Sequence, residues 1–160
     1  KLWFPDGDIV LEIEKSLLKV HKARLQCSEI FSDMLSLPQP QQAPESDWVD
    51  GCPRVALPGD ALADWEVALR WIYHNDAFLA QTTPPFMTLS SALRISTKYE
   101  IAPLRAWAVD QLLSRWPADV LHMRLTALPH AAEAIALARE CALPEILPAA
   151  FYALSIQRFS

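Results

Sequence analysis

The sequence predicts an α+β fold in which a strand hairpin precedes a series of helices. Apolar and polar residues alternate between Asp8 and His21, which is the pattern of strands that have one buried face. Helical spacing of apolar residues replaces this alternation from Ala23 to Leu37. A further short strand, Arg54 to Leu57, then leads into another helical run, so both kinds of element are expected in one fold.

The first half of the chain is predicted to contain a hairpin, two short helices and a loop. The hairpin turns at Lys15-Ser16, and Ser28 is expected to cap the second helix because it directly precedes Glu29. Residues Leu37 to Pro53 are predicted to form a surface loop, since prolines recur along this stretch and exclude regular structure.

The second half is predicted to be helical. A turn at Pro58-Gly59-Asp60 is expected to start a helix with apolar positions from Leu62 to Tyr73, which ends at His74-Asn75-Asp76. Phe86 to Tyr99 and Pro103 to Trp116 form a predicted antiparallel pair. Beyond Pro117 the chain becomes alanine-rich, and three further helices are predicted there: Val120 to Leu128, Ala131 to Ala142 and Pro148 to Ile156.

The composition argues against several classes of partner. The 160 residues carry a formal charge of -5, with acidic and basic residues interspersed, so no basic cluster is available for nucleic acid. No apolar run is long enough to span a bilayer, and no membrane partner is expected. The three cysteines, at wide spacing, are typical of reduced thiols, so we expect an intracellular protein of the cytoplasm or nucleus.

Catalytic and cofactor motifs are not found in the sequence. No Cys or His pair has metal-ligand spacing, and the three glycines lie too far apart to cradle a phosphate. Ser28 lacks the glycine-bounded turn of a nucleophile, and His21 is expected to satisfy backbone groups where the hairpin meets the first helix. We therefore predict no enzyme activity, no cofactor and no metal.

The six tryptophans divide into two groups. Four are in helical settings and are expected to lie mostly in the core: Trp65, Trp71, Trp107 and Trp116. Trp3 lies in an N-terminal arm and Trp48 in the predicted loop. A large amphipathic ring at such positions can anchor a protein interface.

Several motifs of the chain resemble those of the BTB (POZ) domain family. The stretch Asp8-Ile-Val-Leu-Glu-Ile13 resembles the opening strand of the family. Leu17 to Met34 resembles its signature of an apolar pair, His-Arg, then Leu, Ser, Phe and Met, with Lys22 in place of the arginine. Trp65 to Tyr73 and Leu93 to Leu113 resemble its later helices. Three further stretches resemble a large BTB group of mushroom-forming fungi that carries a helical tail: Phe31 to Pro40, Asp50 to Val55 and Pro144 to Tyr152.

The resemblance implies a particular architecture and a role in assembly. It implies a BTB/POZ domain at residues 1–116, with a small three-stranded sheet flanked by a helical cluster, and an all-helical extension at residues 117–160. It also implies homodimerisation or docking of another protein, without a reaction. Some relatives are cullin ubiquitin-ligase adaptors that use an apolar residue, any residue and Glu before the third strand. The nearest matches here are Trp48-Val49-Asp50 and Ala43-Pro44-Glu45.

Two surfaces are therefore candidates for protein interfaces. The first comprises the N-terminal arm, Leu2 to Phe4, and the first helix around Ala23 to Cys27, because the arm's apolar residues lack an evident partner within the domain. The second comprises the loop before the third strand and the helix start beside it. The candidate interface residues are Leu2, Trp3, Phe4, Ala23, Cys27, Trp48, Asp50 and Asp60.

One alternative function belongs to a different class. The chain could be a small enzyme or ligand-binding protein with a pocket between the domain and the helical extension. A deep polar pocket with clustered titratable groups would favour this alternative, whereas an exposed apolar patch on the first helix would favour assembly.

Overall fold

A computed structural model describes residues 2–38, 44–122 and 128–157 of the chain. Within these ranges it has an α+β fold with a sheet in the strand order β2-β1-β4-β3, where β1 is antiparallel to β2 and parallel to β4. The sheet therefore has four strands, one more than the three that were expected. The four strands are Ile9–Ile13 (β1), Ser16–Val20 (β2), Trp48–Val49 (β3) and Cys52–Ala56 (β4).

Both hairpins close through two-residue turns with positive φ angles. Glu14 and Lys15, with φ of 48° and 66°, connect β1 to β2, and Asp50 and Gly51, with φ of 52° and 74°, connect β3 to β4. Positive φ at both positions is the pattern of type I′ turns, for which Asp-Gly is a preferred pair. The predicted loop was therefore wrong for residues 45–53, which form a 3₁₀ turn and this hairpin. Residues 39–43 lie outside the described part.

The helices largely follow the predicted positions. The Ser28 hydroxyl accepts a hydrogen bond from the Phe31 backbone N–H at 3.1 Å and donates one to the Tyr99 carbonyl at 2.5 Å, which confirms the predicted cap. No helix among the described residues is both long and apolar enough to cross a membrane. The α-helices are Lys22–Leu25 (α1), Glu29–Ser36 (α2), Leu62–Tyr73 (α3), Asn75–Leu79 (α4), Phe86–Lys98 (α5), Ala102–Arg115 (α6), Ala131–Glu140 (α7) and Leu147–Ile156 (α8).

The predicted end of the helix Leu62 to Tyr73 is confirmed, because α3 ends at Tyr73 and His74, with φ of -130° and ψ of 50°, has left the helical region. A short helix that was not predicted, α4, begins at Asn75. The helix predicted for Val120 to Leu128 is represented in the described residues by one 3₁₀ turn, Val120–His122. Residues 123–127 of that prediction lie outside the described part.

One hydrophobic core joins the sheet, the helices and the C-terminal segment. β1 supplies Ile9, Leu11 and Ile13, and α7 supplies Ala134 and Ala138 to the same cluster. Of the four tryptophans expected in the core, Trp65 and Trp116 are fully buried, and Trp71 and Trp107 are half-buried against it. The buried face of the extension is therefore continuous with the core of residues 1–116.

Candidate protein-interaction groove

A groove of about 700 Å³ opens on one side of the molecule, between the N-terminal arm, β2, α3 and α5. Its lining is mainly apolar, and two of its side chains are unusually exposed for their type. Met87 is 68% exposed and Leu17 is 38% exposed. The apolar lining residues include Leu2, Leu17, Leu18, Leu62, Val67 and Met87.

On each of the two helices, the residues that line the groove lie on one face. Along α3 the lining residues are Leu62, Ala63, Glu66, Val67 and Arg70, whose spacing of three to four places them on one face of the helix. Trp65, Ala68 and Leu69 occupy the buried face of the same helix. On α5 the lining residues Met87 and Thr88 lie four and three positions before Ser91, so they share one face of that helix.

The N-terminal arm extends the sheet beside β2. The Lys19 backbone N–H donates to the Leu2 carbonyl at 3.2 Å, and the Phe4 N–H donates to the Lys19 carbonyl at 3.0 Å. Trp3 is thereby paired with Lys19 in a parallel bridge. The premise that the arm's apolar residues lack a partner within the domain is therefore wrong, and Leu2 becomes one wall of the groove.

Lys19 joins two of the candidate interface residues. Its side chain is 5% exposed, and its ammonium donates to the Asp50 carboxylate at 2.7 Å and to the Pro5 carbonyl at 3.1 Å. The ammonium also lies 5.8 Å from the centre of the Trp3 ring. The hydrogen bond to Asp50 raises the pKa of Lys19 above its ordinary value. Sequence reasoning missed this lysine, because the groups that enclose it, from the arm and the β3–β4 turn, are distant from it in the sequence.

Phe4 is held by an aromatic group from α3. Its ring stacks on Tyr73 with 4.3 Å between the ring centroids. The Tyr73 hydroxyl accepts the backbone N–H of His21 at 2.9 Å and also bonds the His21 Nδ1 at 2.8 Å. On the other side of the imidazole, Nε2 lies 3.1 Å from the Asp6 carboxylate. His21 was expected to satisfy backbone groups, but in the structure its ring bonds side chains and Tyr73 satisfies the backbone.

The remaining candidate residues do not lie together. Ala23 is exposed, but it lies between Lys22 and Arg24, so the surface of α1 is basic and not the apolar patch that would favour assembly there. Cys27 is half-buried, and burial raises the pKa of its thiol. Trp48 is 48% exposed at the edge strand β3 and is free to contact a partner.

Asp60 is a structural residue in this arrangement. Its side chain is 2% exposed, and its carboxylate accepts hydrogen bonds from the Trp65 indole at 2.9 Å, the Tyr99 hydroxyl and the Lys98 ammonium. Burial alone would raise the pKa of Asp60, but these hydrogen bonds outweigh burial and lower it below the ordinary value. A carboxylate enclosed in this way cannot contact another protein directly.

A cleft of about 450 Å³ with several charged side chains in its lining lies where the alternative function would need its pocket, between α3, α5 and α7. Arg94 bonds Asp64 at 3.3 Å and Glu140 at 3.0 Å, and Lys98 bonds Asp60. Each of these charged groups thus has an opposite charge beside it, and the Arg94 pairs link the C-terminal extension to the preceding helices. Among the described residues, no three His, Cys, Asp or Glu side chains are grouped as metal ligands.

Comparison with known proteins leaves the family unassigned, since the chain matches no protein-family model and no curated protein. Membership of the BTB/POZ family therefore remains a proposal based on the sequence motifs.

Proposed function

We propose that this chain is a non-catalytic protein-interaction module that docks another protein in the groove between the N-terminal arm, β2, α3 and α5. The supporting observation is the exposure of Met87 and Leu17 beside buried apolar neighbours in one concave surface. Clustered apolar side chains of this kind usually mark a binding site, because leaving them in water is unfavourable.

The composition of the groove suits the centre of an interface. Burial of an apolar side chain of this size contributes about 1.5–3 kcal/mol, so Leu17 and Met87 together can act as anchors of a complex. Methionine also adapts its shape to a partner, since its side chain is unbranched and flexible. The Lys19 ammonium bonds the Pro5 carbonyl of the arm, and Tyr73 stacks on Phe4. Because these contacts are made within the chain, this wall of the groove is formed before a partner binds.

The BTB resemblance supports the same class of function. It implies homodimerisation or docking of a partner such as a cullin, and both remain proposals for this chain. The three cysteines are free thiols, which supports action in a reducing cytoplasm or nucleus.

The test is affinity purification followed by mass spectrometry from the native organism, with the whole chain as bait. Three baits are compared: the unmodified chain, the double variant Leu17→Asp with Met87→Asp, and the control Leu79→Asp. Leu79 is 49% exposed at the end of α4, so the control introduces the same chemistry outside the groove.

We expect proteins captured by the unmodified chain to be retained by the control and lost by the groove variant. Equal melting temperatures of the three baits exclude unfolding as the cause. If the groove variant captures the same proteins as the control, the groove is not the docking site.

A further inference from the structure

We propose that the groove takes an apolar segment of a partner protein that carries opposite charges on its two sides, a basic residue beside Glu66 and an acidic residue beside Arg70. The inference rests on the proposed docking function and adds the chemistry and the direction of the occupant. Its basis is the charge arrangement along α3.

Glu66 and Arg70 are the charged residues of the described groove lining, and both are exposed. They lie four residues apart on one face of α3, in the order that favours an ion pair within a helix. Among the described residues, neither forms an ion pair with the other or with a third group. Both charges are therefore available to a bound segment.

This availability contrasts with the other charged groups around α3. Asp64 on the same helix is bonded to Arg94, and Asp60 before the helix is bonded to Lys98. The exposed pair thus coincides with the apolar groove, while the charges on the cleft side of α3 are used within the chain.

The spacing sets the size of the occupant. Four residues of α-helix rise about 6 Å, so the two complementary charges of the partner must be about that far apart. The α3 wall from Leu62 to Arg70 is about 12 Å long, which matches about two turns of helix or about four residues of extended chain. The same segment presents apolar side chains to Leu17 on β2 and Met87 on α5.

The charges also set the direction. A segment with its basic residue toward the start of α3 is attracted by both Glu66 and Arg70. The reversed segment places its acidic residue beside Glu66 and its basic residue beside Arg70, so both contacts are repulsive. Rim charges act more on specificity than on affinity, so a preference for one direction is the expected signature.

The experiment is selection of peptides from a random 16-residue displayed library on the purified whole chain. The same library is selected on Glu66→Lys with Arg70→Glu, which reverses both charges and preserves the net charge. The control is Asp110→Lys with Arg139→Glu, which changes exposed charges on α6 and α7 outside the groove. Counter-selection on Leu17→Asp with Met87→Asp removes peptides that bind elsewhere.

We expect the peptides selected on the unmodified chain and on the control to share apolar residues together with one basic and one acidic residue in a fixed order. Peptides from the charge-reversed chain should show the opposite order. In fluorescence anisotropy, a selected peptide should bind the charge-reversed chain about three- to twentyfold more weakly, and exchanging its own charges should restore binding.

Three outcomes overturn the inference, and they are distinguishable. Groove-dependent peptides without a charge order would leave the docking function standing and refute the charge assignment. Failure to select any groove-dependent peptide would count against the docking function itself. A concentration-dependent dimer in light scattering that the charge-reversed chain loses would show that a second copy of this chain fills the groove.

Discussion

Asp60 is a buried carboxylate that accepts hydrogen bonds from three donors: Trp65 of α3, Lys98 of α5 and Tyr99, which directly follows α5. Two of these donors, the Trp65 indole and the Tyr99 hydroxyl, belong to buried side chains. Its proximity to the start of α3 made it a candidate interface residue. Its enclosure makes it instead a residue that orients α3 relative to α5.

Replacing Asp60 with Ala is expected to lower the free energy of unfolding by about 2–6 kcal/mol, since each of the two buried donors loses its acceptor at a cost of about 1–3 kcal/mol. Urea unfolding at neutral pH measures this loss. The control is Asp33→Ala on α2, where the carboxylate is exposed, and a change within about 0.5 kcal/mol is expected there. Equal losses in both variants would contradict the structural role of Asp60.

Asp60 also predicts a dependence of stability on pH. Because its folded-state pKa is lowered, its stabilising contribution is complete above the unfolded-state pKa of about 3.9 and is lost as pH falls through the folded-state value. The stability difference between the unmodified chain and Asp60→Asn should therefore shrink as pH is lowered from about 6 to about 3. A difference that stays constant over this range would show that the charge of Asp60 does not contribute.

Trp48 provides the test of the cullin proposal. Its ring is half-exposed on the two-residue strand β3, so removing it should leave the fold intact. If the chain is a cullin adaptor, Trp48→Ala should weaken binding to the organism's cullin by at least about 1–2 kcal/mol, as measured by calorimetry. Absence of binding by the unmodified chain at about tens of micromolar would instead favour a homotypic or another partner.

The N-terminal arm is an edge element that depends on contacts from β2 and α3. It pairs with Lys19 of β2, and its Phe4 ring stacks on Tyr73. These contacts use the surface through which the arm was expected to pair with a second copy. Homodimerisation through the arm and α1 nonetheless stays a prediction, because an arm held at a sheet edge can exchange its partner strand.

Light scattering at high micromolar concentration checks this prediction. A dimer that dissociates when the arm residues 2–4 are deleted would support it. A monomer of the chain's mass, 18.0 kDa, would contradict it. The charge-reversed groove variant serves as the control, since it leaves the contacts of the arm with Lys19 and Tyr73 unchanged.

The molecule as a whole is held together by a core that crosses the expected boundary at residue 116. Ala134, Ala138 and Ile146 belong to the same cluster as the strands, and Arg105 donates to the Cys141 carbonyl at 3.0 Å. The buried faces of α7 and α8 are short and need this surface to be stable as helices.

Truncation after Trp116 is therefore expected to lower stability by several kcal/mol, because it exposes the apolar surface that the extension covers. The melting temperature of the truncated chain measures this effect. The matched control is Glu140→Gln, which removes one partly exposed ion pair with Arg94 and should cost less than about 1 kcal/mol. An undiminished melting temperature after truncation would show that the extension is independent.

The sequence by itself determined the features that depend on neighbouring residues. The strand at Ile9–Ile13, the helical spacing of Leu62–Tyr73 and the cap at Ser28 were predictable because each rule acts over a few positions along the chain. The expectation of one buried face was wrong for the strand, because Val10 on its other face is also fully buried. The Asp50-Gly51 turn carried an equally local signal, and it was missed because the surrounding prolines indicated a loop.

Only the tertiary structure decided where the candidate site lies. The groove joins Leu2, Leu17, Glu66 and Met87, which are far apart in the sequence, and no local pattern relates them. The burial of Lys19 and Asp60 was hidden for the same reason, since each is enclosed by residues from distant segments. Local periodicity specifies which face of an element is apolar, but packing between elements decides which part of that face remains exposed.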